Sequence, residues 1–260
     1  VKILSPPHVL LALGMTGIRF GTVIMIVSEM NRAQGEYRAR LERLLFFSFI
    51  FLFGMTIGIA QEYTVRPFMH GARFYLVAAL VAPIFMAAIA AATKHPWAVT
   101  ITTALYTVMH LAFTWILPLF PAEPKLGPVY QKITHLIPTD FPMLFIVPAI
   151  VIDLMRHRIG GWNRWAQSAG LGAAFVVSFV AVQWPFADFL MSPASRNWIF
   201  ATNNFPYFIP PRSPWVRNVF FPTDASAAAF WVHMGFAVIV AVVMTDLGFR
   251  WGEWMRRIRR

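Results

Sequence analysis

The chain has 260 residues, 58% hydrophobic and 13% charged, against roughly a quarter charged in an ordinary soluble domain, which excludes a soluble enzyme and a disordered chain. The net charge of +11 is spread between long apolar runs instead of forming one basic face, so nucleic acid is excluded as a partner and the lipid bilayer takes its place. There is no Cys, which excludes thiolate zinc, cysteine-ligated iron–sulfur clusters, disulfides and thiol nucleophiles in this chain.

A bilayer core of roughly 30 Å needs about 20 mostly apolar residues per helix. Seven such runs fall near residues 9–28, 45–62, 74–93, 97–117, 140–155, 167–185 and 226–248. They predict an all-α polytopic transmembrane bundle that makes one integral membrane domain of residues 1–260. The first run has neither a basic leader nor a small-residue cleavage site, so it reads as a span and not as a signal peptide. It carries Gly14, Gly17 and Gly21, a small-residue stripe at the spacing that lets a second helix approach closely. Arg19 lies near the middle of the same run and reads as a snorkelling residue or half of an intersubunit ion pair. The fifth run is short and starts in a Pro-containing stretch. The long connection 186–225, rich in Pro and aromatic residues, reads as an ordered cap. The tail 249–260 is basic and reads as an anchor to anionic headgroups.

Orientation follows from where the basic residues fall. One set of connections holds Arg32, Arg38, Arg40, Arg43, Lys94, Arg156, Arg158, Arg164, Arg250 and the arginines of the tail; the other holds fewer, spread over longer segments. The positive-inside rule then predicts an outside N-terminus and an inside C-terminus in the inner (cytoplasmic) membrane. Near the inner ends, Asp153 and Asp246 have Arg156 and Arg250 close by, which predicts ion pairs at helix ends.

Ionisable residues within a span default to functional hypotheses. His110 in the fourth run and His233 in the seventh both fall about 11 Å from the outer ends of their helices at 1.5 Å per residue, so they could face each other. Glu62, Asp140, Asp188 and Asp224 fall near the same boundary, with His8, His70 and His135. Imidazole and carboxylate without thiolate suit a nitrogen and oxygen metal site. The candidate ligands are His110, His233, Glu62, Asp140 and Asp224. The competing reading is that each histidine bonds a neighbouring helix or a carbonyl.

From the third run onward the order of features resembles the A subunit of the particulate methane monooxygenase and ammonia monooxygenase family. Pro96-Trp-Ala-Val-Thr100, Val147-Pro-Ala-Ile-Val-Ile-Asp153, Trp184-Pro185 at the end of the sixth run, Pro193 and Arg212-Ser-Pro-Trp-Val-Arg217 are similar to that family's segments in the same order. The sequence departs from the family where its fourth-span glutamate falls at His110, where its loop histidine falls at Met191, and where its acidic segment has no counterpart near residues 64–73. The resemblance implies a membrane subunit of a copper-dependent monooxygenase-like complex acting on methane, a short alkane or ammonia. The implied partners are further membrane subunits and a periplasmic or extracytoplasmic metal-binding subunit. Two other readings stay open: an anchor holding haem b between His110 and His233, and a non-catalytic membrane scaffold.

Overall fold

The computed structural model describes residues 5–60, 64, 69–123, 125, 134–136, 138–200 and 224–259. It is all-helical: α1 (Pro6–Arg32), α2 (Gly35–Ala60), α3 (Ala72–Ala92), α4 (Ala98–Ile116), α5 (Ile146–Arg158), α6 (Arg164–Met191) and α7 (Ala227–Arg257). Among the described residues, six helices are long and apolar enough to cross a membrane, and α5 is the exception. Its 13 residues span about 20 Å, less than a bilayer core requires. The expected fifth run began at 140. Residues 138–144 are instead irregular, because Pro138 and Pro142 each remove a donor and push the preceding residue out of the helical region.

The expected end of the sixth run at Trp184-Pro185 is also corrected, since α6 continues to Met191 with Pro185 inside it. A proline in a membrane helix is tolerated where neighbouring elements satisfy the freed carbonyl. Only the first part of the 186–225 connection is described. After α6 come two short 3-10 turns, Pro193–Ser195 and Trp198–Phe200, and 201–223 lie outside the described residues.

At the α1–α2 corner, Gly35 has φ +55°, a conformation that costs other residues roughly 1–2 kcal/mol. Asn31 Nδ2 then donates at 2.8 Å to the carbonyls of both Met255 and Ile258, closing the end of α7.

The hub is α3, whose apolar stretch is mostly buried, whereas that of α1 is mostly exposed. Its alanines let α7 come close. A Cβ on Gly248 would strike the Ile84 carbonyl and Ala87, and one on Gly252 the Ala88 carbonyl. A Cβ on Gly172 of α6 would lie 2.6 Å from the Val242 nitrogen. Small residues therefore close the α3–α7 and α6–α7 contacts, as expected where lipid offers no hydrophobic drive between helices. Among the described residues nothing approaches Gly14, Gly17 or Gly21, where a Cβ would meet nothing within 4 Å. Beside the hub, Phe53 and Tyr106 rings lie 4.9 Å apart and Phe145 and Phe179 rings 4.8 Å apart, filling the space between α2, α4, α5 and α6.

Exposed tryptophans form two levels. Trp97, Trp162, Trp165 and Trp254 mark the end bearing the tail, and Trp115, Trp198 and Trp231 mark the opposite, loop end. Trp231 and Trp254 share α7 and are separated by about 34 Å of helix at 1.5 Å per residue, close to a bilayer's hydrocarbon thickness.

Candidate functional site

The irregular segment before α5 sits among helices, and a membrane protein can place such backbone at depth only if its polar groups find partners. Three side chains hold the segment, two of them through its main chain. Gln183, fully buried on α6, accepts from the Leu144 nitrogen at 3.0 Å. The hydroxyl of Thr114 on α4 lies 2.8 Å from that of Thr139. His110 Nε2 lies 2.7 Å from the Asp140 carbonyl oxygen. A carbonyl only accepts, so Nε2 carries the proton and donates. Nδ1 then accepts from the Tyr106 hydroxyl at 3.3 Å. Both ring nitrogens of His110 are thus committed within the chain, and it is the main chain of Asp140 that meets the histidine.

A second polar group surrounds the start of α3. Asp224, just before α7, accepts from the Ala72 nitrogen at 3.0 Å through Oδ2 and caps α3 from across the fold. Its other oxygen, Oδ1, lies 2.7 Å from His233 Nδ1. Asp224 is 6% exposed at its side chain and His233 50%. A carboxylate only accepts, so Nδ1 is the nitrogen that donates to Asp224, and Nε2 has no hydrogen-bond partner among the described residues. Nearby, buried His70 directs Nε2 toward Asp188 Oδ1 at 3.1 Å. Its ring meets Trp184 edge-on at 4.8 Å, and Trp184 in turn meets Phe230 of α7 at 5.6 Å. Two imidazole–carboxylate pairs thus stand near one helix start: Asp224 reaches the Ala72 nitrogen from 152 residues along the chain, and His70 precedes Ala72 by two residues.

Among the described residues, the expected ligands are not gathered into one centre. His233 and Asp224 are brought together, and His110 and Asp140 meet through a carbonyl. The two histidines serve different partners, and Glu62 lies outside the described residues. Among the described residues no group of three or more His, Asp or Glu is placed to hold a metal ion. The described residues alone therefore do not make a complete ligand set for copper, the metal implied by the resemblance. What fits is one carboxylate-oriented nitrogen, at His233.

Arg19 lies at the α1–α2 groove, where its guanidinium donates to the Met15 carbonyl at 3.3 Å and contacts Met55 Sδ at 3.2 Å. Among the described residues it has no carboxylate partner. The polar stripe on α4 went unread in the sequence, although Tyr106, His110 and Thr114 recur every four residues and so share one helix face. No family model, curated protein or solved structure matches this chain.

Proposed function

We propose that the chain is the integral membrane subunit of a larger complex of the copper-dependent monooxygenase-like kind that its sequence resembles. It lies in the inner membrane with the N-terminus outside. It forms the multi-span platform and offers His233 Nε2 to a metal whose remaining ligands come from a partner subunit. The observation that carries this reading is the Asp224–His233 pair. A buried carboxylate, itself anchored on the Ala72 nitrogen, holds an exposed imidazole in the tautomer a metal needs. A small apolar substrate reaches that end of the bundle through lipid.

Purification of the complex in mild detergent, with its partners identified and its copper counted, tests the reading. Copper present in the wild type and reduced in His233→Ala is the supporting result. Unchanged copper in that variant removes His233 from the site.

A specific observation also favours the scaffold reading. Most of the described histidines hydrogen-bond within the chain, including His8 with Ser5 at 2.6 Å, His95 with the Trp97 nitrogen at 3.1 Å and His157 with the Pro96 carbonyl at 3.1 Å. A complex that purifies intact with partners and without copper favours it. The haem reading requires His110 Nε2, which is already donating to Asp140.

A further inference from the structure

At the tail end, the C-terminus of α3, the end of α5, the start of α6 and the last turns of α7 enclose a cleft of about 450 Å³. Lys94, Arg156, Arg164 and Arg256 line it with His157, and Glu253 is the acidic residue among its walls. Two of these cations are already neutralised. Arg156 pairs with Asp153 at 3.1 Å and donates to the Ala90 carbonyl at 2.8 Å, covering the negative end of α3. Arg164 spans Asp246 at 3.0 Å and Glu253 at 3.6 Å. Lys94 and Arg256 have no acidic partner among the described residues, and both open into the cleft. The cleft thus carries a surplus of positive charge with donors on several walls. It also lies at the level of the exposed tryptophans Trp97, Trp162, Trp165 and Trp254, the ring type that settles among lipid headgroups.

We infer that this cleft is a binding site for a phosphate-bearing anion, and that its occupant is the headgroup of an anionic phospholipid seated between α3, α5, α6 and α7. Basic pockets between membrane helices at the headgroup level recognise such lipids through the phosphate. Here Arg156 and Arg164 are held in place by their acids, while Lys94 and Arg256 supply the charge that meets the ligand. The site is distinct from the tail arginines 257 and 259, which attract any anionic surface without a defined pocket.

Native mass spectrometry of the full chain in detergent, titrated with dioleoylphosphatidylglycerol, dioleoylphosphatidylcholine or inorganic phosphate, tests the inference. The wild type is expected to retain one phosphatidylglycerol at concentrations where phosphatidylcholine does not bind. Lys94→Gln/Arg256→Gln is expected to weaken that binding by about twenty-five-fold, each headgroup-facing cation contributing about fivefold. Arg257→Gln/Arg259→Gln, with the same loss of charge at the same end, is expected to leave it within about twofold. If the double pocket variant loses its helical circular dichroism, the single variants, each expected at about fivefold, replace it. Equal losses in the pocket and tail variants, or equal retention of the two lipids, overturn the site. Displacement of the lipid by equimolar inorganic phosphate overturns the lipid assignment and makes the occupant a soluble phosphate.

Discussion

Replacing His110 with Leu keeps roughly the volume of the ring and withdraws both of its hydrogen bonds. The Asp140 carbonyl loses the donor at 2.7 Å and the Tyr106 hydroxyl loses the acceptor at 3.3 Å. Tyr106 is 1% exposed, so water does not replace the lost partner. The part-buried Asp140 carbonyl deprived of its donor costs about 1 kcal/mol, and the buried Tyr106 hydroxyl deprived of its acceptor about 1–3 kcal/mol more. Polar contacts between membrane helices average about 0.6 kcal/mol, because a helix pulled apart finds other partners. The segment 138–144 has no helical bonds to fall back on, so the higher range applies and the expected loss is about 2–4 kcal/mol. Unfolding of the purified chain in mixed micelles by added dodecyl sulfate, followed by circular dichroism, measures it. Thr114→Val, which removes the 2.8 Å contact to Thr139, serves as a milder control expected at about 1 kcal/mol. A loss below about 0.5 kcal/mol for His110→Leu would refute the idea that this histidine holds the broken segment in place.

Gly248→Val should cost about 3 kcal/mol or more, since the new Cβ meets a carbonyl of α3 that cannot move aside. Gly17→Ala, with open space around it, should raise the stability of the isolated chain by up to about 1 kcal/mol while weakening assembly if a partner helix docks there; thermal unfolding and size-exclusion chromatography read the two effects. Asp153→Ala should cost about 3–5 kcal/mol in the same unfolding assay, because it strands Arg156, 16% exposed, and removes the oxygen 2.7 Å from the Thr100 nitrogen that caps α4. The absence of native Cys makes topology directly readable. Ala225→Cys should react with an impermeant maleimide from outside intact cells, and Arg257→Cys only after permeabilisation; labelling of both from one side would contradict the proposed orientation.

Much of the architecture was legible because it rests on local physics. Apolar run length marks α1, α2, α3, α4, α6 and α7, and the brevity of the fifth run is visible in its prolines. The pairs Asp153–Arg156 and Asp246–Arg250 were readable from spacing alone and form at 3.1 Å and 2.6 Å. Arg164, which also reaches Asp246, was not, because it arrives from another helix. Longer-range facts were hidden for the same reason. His110 finds its partner 30 residues away, and Asp224 caps a helix 152 residues before it. The packing role of Gly248 and Gly252 went unread because of span length. Ending the last run at 248 left Gly252 in the tail, whereas α7 runs on to Arg257 and buries both glycines against α3.

The proposal that His233, and not His110, is offered to copper is tested most directly by pulsed electron paramagnetic resonance of the purified complex in its Cu(II) form. A metal-bound imidazole reveals itself through modulation from its remote ring nitrogen. That modulation is expected in the wild type, diminished in His233→Ala and unchanged in His110→Leu. A copper signal that keeps its full modulation in His233→Ala, or that loses it in His110→Leu, would contradict the assignment.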